Sequence, residues 1–271
     1  MTRWLLDKQD MKTPTRRTRL PVIAVTAGDP CGIGPEVLIK AIADRRRSHA
    51  RLVVIGDAGV FEQEARRLKQ RLPGWMTISV DEVPHHLTRV AATDPSRSNP
   101  SARMLFIDIA HRTRFVPGRA SAAAGAASVA YLDIAISLCR EGLIDALVTA
   151  PVTKWAVQSS GVAFSGHTEY LSARLGNAFP VMMFASEDFR VVLLTRHIAL
   201  RDVSAHATAS LIRKTLRVVI EALRRDFGCR SPRMVICGLN PHAGEAGLMG
   251  TEEERRLAPV LRIRRQRLWN Y

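Results

Sequence analysis

The sequence predicts an α/β fold built on a mainly parallel sheet, and three observations carry that reading. Short runs rich in Val, Ile and Leu recur along the chain, and most lead through a turn into a stretch with helical periodicity. The 271 residues are 46% hydrophobic, enough for a sizeable core. No unbroken apolar run reaches the roughly 18 residues that suggest a membrane-spanning helix.

Residues 1–20 are basic and polar, with no long apolar stretch and no small-residue cleavage site. They are expected to be a disordered leader, not a secretory signal, and Met11 offers a second possible start. Val22 to Ala27 reads as the first strand. Glycines and prolines follow, then a helix from about Gly34 to Arg47. Leu52 to Ile55 is a second strand and Ala58 to Arg71 its helix. Met76 to Val80 and Met104 to Ile109 are weaker strands, separated by a loop-forming composition at 92–101. Ser121 to Gly142 is the longest helical stretch, rich in alanine and closed by Gly142. Ala146 to Thr149 is a buried strand. Val181 to Ala185 and Arg190 to Thr195 flank Ser186-Glu187-Asp188 as a hairpin. Thr208 to Phe227 is an amphipathic helix ended by Gly228, and Met234 to Cys237 is another strand. The last helix begins near Thr251, with Glu252, Glu253 and Glu254 in its first turn, where carboxylates complement the helix dipole.

The formal charge is +15. Its arginines are dispersed, at 45–47, 66–67, 224–225, 255–256 and 262–267, mostly on polar faces of the predicted helices. No aromatic interleaving or nucleic-acid-binding motif accompanies them. A nucleic-acid partner is therefore not expected, while an anionic substrate suits the field. Cys31, Cys139, Cys229 and Cys237 form no CxxC pair, and with no secretory signal they are expected to be reduced, buried residues of a cytoplasmic protein.

Five short segments could carry chemistry. In Gly28-Asp29-Pro30-Cys31-Gly32-Ile33-Gly34, between a strand and a helix, the glycines allow close backbone approach and the helix start offers free N–H groups to an anion. Asp29 there is either a functional carboxylate or a turn former. Lys154 follows a strand end, where open α/β sheets bind ligands; it either holds a phosphate or carboxylate or is simply solvated. His167 and Thr168 follow Gly166 at a helix start, with donors suited to an oxyanion or phosphate. His197 and His242 each leave a predicted strand end. Neutral imidazoles from two such places could share a metal ion, although either alone is more often a hydrogen-bonded structural histidine. Asn240 and Glu245 would then be supporting partners. His49, His85, His86, His111 and His206 read as surface residues.

Taken in order, TAGDPCGIGPEV, SAAAGAASVAYLDIAI, DALVTAPVTKWAV, FSGHTEYL, PVMMFASEDFRVVLLTRHIALRDV and ICGLNPHAGEAGLMGTEEE resemble the 4-hydroxythreonine-4-phosphate dehydrogenase family of pyridoxal phosphate biosynthesis. The match runs from about Val22 to Leu261. The resemblance implies a two-domain fold related to isocitrate and isopropylmalate dehydrogenases, with residues 21–271 as one incomplete unit of two interleaved α/β subdomains. It also implies a cytoplasmic homodimer. The implied reaction is the NAD (or NADP) dependent oxidation of 4-phosphohydroxy-L-threonine, with loss of carbon dioxide. A divalent metal (Zn, Mg or Co) polarises the reacting oxygen.

By the same resemblance, His167 and Thr168 contact substrate, and His197 and His242 are metal ligands. Gly28, Asp29, Gly32, Gly34, Lys154 and Asn240 shape the cleft. Cys31 stands where the family usually has alanine. The family's chains carry a third metal histidine, in a Tyr-His-Asp-Gln motif, and further substrate residues beyond the point matched by Leu261. No histidine follows His242 here. A C-terminally truncated member with a weakened metal site is therefore expected, and an inactive remnant is one alternative. Another is D-threonate or D-erythronate 4-phosphate as substrate, since Pro117 to Ser128 resembles that branch.

Overall fold

The computed structural model describes residues 20–43, 50–83, 86, 104–111, 113–176 and 178–261. They divide into two compact units, one within Arg17–Ala178 and the other within Phe179–Tyr271. The expected leader, the loop at 92–101 and the helix residues Arg45 to Arg47 lie outside the described residues.

The first unit is built on a five-stranded sheet. Its strands are β1 (Val22–Thr26), β2 (Arg51–Gly56), β3 (Met76–Ser79), β4 (Met104–Asp108) and β5 (Ala146–Thr149). Their spatial order is β3-β4-β2-β1-β5, with every pairing parallel. The register places Ala24 beside Val53 and Leu147, and Val53 beside Leu105. Val53, Val54, Ile55, Phe106 and Ile107 are fully buried, which is why these strands read as continuous apolar runs. Between the chain crossings pack α1 (Gly34–Ala43) and α2 (Ala58–Leu68). Phe61 of α2 meets Trp75 and Phe106 edge-on, at 5.5 and 5.2 Å between centroids. Helix α2 stops before the expected Arg71. Lys69 takes a left-handed φ of 54°, and the N–H of Gln70 donates back to the Ala65 carbonyl, which closes the helix.

Helix α3 (Ala122–Arg140) matches the longest predicted helix. The Ser121 hydroxyl caps it by accepting the Ala124 N–H at 3.2 Å. By length and composition it could cross a membrane. Here Tyr131, Leu132 and Ala135 are fully buried in the core, so the apolar surface is used within the fold. Two short helices follow, α4 (Lys154–Ser159) and α5 (His167–Arg174). Helix α4 lies so close to α3 that a side chain at Gly125 would overlap the backbone of Ala156.

The second unit contains the expected hairpin, with shorter strands: β6 (Met183–Ala185) and β7 (Arg190–Val192) pair antiparallel, Phe184 opposite Val191. Helices α6 (Val203–His206) and α7 (Ala209–Arg225) follow, the latter capped by the Thr208 hydroxyl on the Leu211 N–H at 3.2 Å. Ile212 of α7 packs with Leu257 and Val260. Those two belong to a last helical stretch whose middle, Glu253–Leu257, is π-helical.

Three expectations fail. Ala146 to Thr149 is a strand but not a buried one, since Ala146 and Val148 are exposed, Val148 at 50%. Met234 to Cys237 is not a strand: among the described residues no strand pairs with it, and Val235 is 92% exposed. A β-rich run needs a neighbouring edge before it becomes a strand. Nor are all four cysteines buried. Cys31 is, but Cys139 and Cys237 are exposed, the first on an outer position of α3 and the second in the unpaired stretch.

The α3–α4 contact gives a direct test. Gly125→Ala should destabilise the fold by about 1–3 kcal/mol, as an overpacked site does, and so lower the thermal and urea midpoints, despite alanine's better helix propensity. Gly59→Ala in α2, where a Cβ meets nothing within 4 Å, should hold or raise them. Equal midpoints for the two variants would remove the packing argument.

Candidate active site

The carboxyl ends of β1 and β5 bring two of the predicted segments together. After β1, Gly28 has φ 70°, and a Cβ there would overlap the Pro151 carbonyl. The next N–H, of Asp29, donates to that carbonyl at 2.9 Å. Asp29 is almost fully buried. Its carboxylate accepts the Cys31 N–H at 2.8 Å and its carbonyl accepts the Gly32 N–H at 2.9 Å. The carboxylate thus builds the turn that leads through Gly32 and Gly34 into α1, the second of the two readings of this residue. Burial raises the Cys31 thiol above its ordinary pKa, so it behaves as a packed apolar group. Below the loop, Glu36 of α1 bonds Lys40 and Arg67 at 2.5 Å each, and these cations hold its carboxyl below the usual range.

The Pro151 side of this interlock carries Lys154, the first residue of α4. The Lys154 Nζ lies 3.9 Å from where a Cβ of Gly166 would sit. Gly166 precedes His167 and Thr168, which open α5. The structure therefore brings Lys154, His167 and Thr168 into one neighbourhood. The His167 Nε2 is buried and has no hydrogen-bond partner. Burial first, and the charge of Lys154 second, hold the His167 pKa below its ordinary value. A buried nitrogen left unpaired beside a cation is what a protein leaves for an anionic ligand oxygen. The Phe164 ring meets the imidazole edge-on at 5.6 Å and fixes its plane.

One cluster at the same sheet edge was not anticipated. Asp57, at the end of β2, is buried. Its carboxylate accepts the His111 backbone N–H at 2.5 Å, pairs with His111 Nδ1 at 2.9 Å and accepts the Tyr131 hydroxyl. His111 is therefore not the surface residue its polar context suggested. Burial, then the Asp57 bond, pushes the Tyr131 hydroxyl far up and keeps it protonated. At the end of β4, Asp108 accepts the N–H groups of Ala58 and Ala110 at 3.0 Å each. An aspartate directly after β2 and another closing β4 were the available signal.

The second unit holds the remaining predicted residues. His197 and His242 both have left-handed backbones, φ 54° and 52°. Both rings are exposed. His242 opens an unbroken left-handed run through Gly247. Four of these six residues are not glycine, and each costs roughly 1–2 kcal/mol. Such strain gathers at functional sites when the surroundings enforce it. Here the Glu253 carboxylate accepts the N–H groups of Leu239 and Asn240 at 2.6 Å each, and the Asn240 amide donates to Glu252 and Glu253 at 2.8 and 3.0 Å. These bonds pull the Glu253 pKa down to about 2. The carboxylates that hold Leu239 and Asn240 are thus Glu252 and Glu253, which the sequence presented as dipole partners. For Glu245, the other expected partner, the recorded contact is its carbonyl accepting the Leu248 N–H. Within the described residues, no three or more His, Cys, Asp or Glu side chains cluster as a set able to hold a metal ion.

The family model described as "Pyridoxal phosphate biosynthetic protein PdxA" matches residues 48–270. The 4-hydroxythreonine-4-phosphate dehydrogenase of Methylococcus capsulatus is 37% identical over 246 residues, which cover 91% of this chain and 70% of that protein. That of Aromatoleum aromaticum is 39% identical over 242 residues, covering 89% and 68%. Among solved structures, the enzyme of the same name from Klebsiella pneumoniae superposes with a TM-score of 0.75 at 32% identity, covering 93% of this chain and 72% of the other. A terephthalate 1,2-cis-dihydrodiol dehydrogenase from Burkholderia xenovorans gives a TM-score of 0.59 at 29% identity, covering 91% and 70%.

The His167 environment makes a pH prediction. Its folded pKa lies below the unfolded value of about 6.5, so the unfolded chain takes up the proton first as pH falls. The stability tied to neutral His167 is complete above that value and declines on acidification through it. In Lys154→Met one of the two causes is gone. The His167 ring resonances, followed by NMR, should then titrate at higher pH than in the unaltered chain. An unmoved midpoint would mean that the lysine charge does not reach the ring.

Proposed function

Because the chain belongs to the PdxA family of pyridoxal phosphate biosynthetic proteins, and is by that family an oxidoreductase, we propose that it oxidises 4-phosphohydroxy-L-threonine with NAD (or NADP) and a divalent metal, with loss of carbon dioxide. The observation that carries the substrate class is the buried, unpartnered His167 Nε2 beside Lys154 at the start of α5. A ligand phosphate or carboxylate oxygen there gains a donor whose desolvation has already occurred on folding, together with a cation and the free N–H groups of a helix start. Thr168 adds a hydroxyl to the same place. The interlock of Asp29 with Pro151 holds Lys154 against this neighbourhood and limits its motion.

In this reading His197 and His242 are the residues that would hold the ion, and neutral imidazole binds zinc or cobalt more readily than magnesium; among the described residues they do not gather with a third His, Cys, Asp or Glu able to complete a metal site. When bound, the ion supplies polarisation of the alcohol oxygen and the nicotinamide supplies a hydride acceptor. The same reading includes a homodimer, a cytoplasmic location and the two-domain arrangement of the isocitrate and isopropylmalate dehydrogenases.

The test is NADH formation by the zinc-supplemented chain, with His197→Ala as blank. The substrates offered are 4-phosphohydroxy-L-threonine, D-threonate 4-phosphate and D-erythronate 4-phosphate. The first should turn over fastest, and His167→Ala should lower its kcat/KM roughly tenfold or more, the cost of one charge-assisted hydrogen bond. Faster turnover of a sugar-acid phosphate would reassign the substrate. No turnover of any of the three by folded protein would end the proposal.

A further inference from the structure

Residues 113–118, between β4 and α3, form neither helix nor strand, yet they are fastened at both ends. The chain leaves β4 through Ala110, which has a left-handed φ of 54° and donates its N–H to Asp108 at 3.0 Å. His111 then meets Asp57 twice, through its backbone N–H and through Nδ1 at 2.9 Å. Phe115 is buried in the core beneath the segment and meets the imidazole edge-on at 6.3 Å. Further on, the Gly118 N–H donates to the Cys31 carbonyl at 2.7 Å, and the Val116 backbone lies against the Cys31 thiol. Cys31 is only 4% exposed, although it stands in the loop that leaves the carboxyl end of β1.

We propose that residues 113–118 are a strap across the loop at 28–34, and that His111 is the positioning residue that fastens this strap to the sheet. Apolar packing of Phe115 alone is non-directional and would let the segment slide. The pairing of the imidazole with Asp57 adds a directed bond at a fixed place. From Cys31 the line of contacts runs inward. The Cys31 N–H is held by the Asp29 carboxylate at 2.8 Å, and the Asp29 N–H by the Pro151 carbonyl at 2.9 Å. Lys154 follows three residues after Pro151 and opens α4. The strap thus steadies the loop, and the loop steadies the start of the helix that carries the cation. This last step rests on the reading of Lys154 and His167 as an anion site.

The cysteines supply the readout. The full chain is treated with iodoacetamide, and alkylation at each cysteine is followed by mass spectrometry. Cys139 and Cys237 are exposed and should react fast, Cys31 slowly. His111→Ala keeps the backbone bond to Asp57 and removes only the ring. It should raise the Cys31 rate about tenfold or more, the effect on a local opening of losing one hydrogen bond to a carboxylate. The Cys139 and Cys237 rates should not move. His111→Asn can place an amide nitrogen where Nδ1 stands and should restore the protection, which a packing role alone would not allow. If His111→Ala does not fold, His111→Gln, whose amide lies one carbon farther out, decides in its place. A Cys31 rate that stays low in the folded variant would overturn the strap. A raised rate that His111→Asn does not restore would take the fastening away from the Asp57 bond. The reach to Lys154 is read separately, from the His167 ring resonances during titration with inorganic phosphate. Half-saturation should move to several-fold higher phosphate in His111→Ala. If it stays in place while Cys31 opens, the reach to Lys154 is wrong and the strap stands. No response of His167 to phosphate in the unaltered chain would overturn the anion reading and that last step with it, leaving the strap to be decided by Cys31.

Discussion

Strand β1 is hydrogen-bonded on both sides, to β2 and to β5, and the first unit's candidate site depends on that double pairing. Parallel pairing brings the carboxyl ends of neighbouring strands to one edge of the sheet. The loops leaving β1 and β5 therefore meet, and the Asp29 N–H finds the Pro151 carbonyl. Lys154 comes three residues after that contact. The placement of the cation beside His167 thus follows from sheet topology, through a turn that tolerates no Cβ at Gly28.

The two units solve different problems of polarity. In the first, buried carboxylates are satisfied by donors from distant parts of the chain, as Asp57 is by His111 and Tyr131. In the second, half-buried Glu252 and Glu253 satisfy a strained loop close in sequence. Both arrangements fix the carboxylates geometrically. His167 has the opposite character, a polar atom buried and left open.

The sheet was legible where short apolar runs recur between turn residues, whether the strand is largely buried, as β1 and β2 are, or partly exposed, as β5 is. Val22 to Thr26, Leu52 to Ile55 and Ala146 to Thr149 are short apolar runs bounded by turn residues, and each is a strand. Helix α3 was legible from its long alanine-rich run closed by Gly142, and the Ser121 cap that starts it reaches only three residues along the chain. Met234 to Cys237 has the same local composition as a strand and fails for want of a neighbour, which no local pattern reports. His111 was misread for a related reason, since its partner Asp57 is 54 residues distant. Glu253 had a sufficient local explanation in the helix dipole, and that explanation concealed its contacts with Leu239 and Asn240. His167, Thr168, His197 and His242 were singled out by strand ends, helix starts and family resemblance. The conformations of the two metal candidates, left-handed in both, were not foreseeable.

The Asp57 cluster also bears on how the molecule breathes. One carboxylate fastens the start of α2, the segment after β4 and the middle of α3, across sequence separations of 54 and 74 residues. The stretch that carries His111 cannot peel away alone without leaving a buried charge short of donors. It shares the opening free energy of the sheet beneath it, and so behaves as part of the most slowly exchanging body of the protein, not as a surface loop.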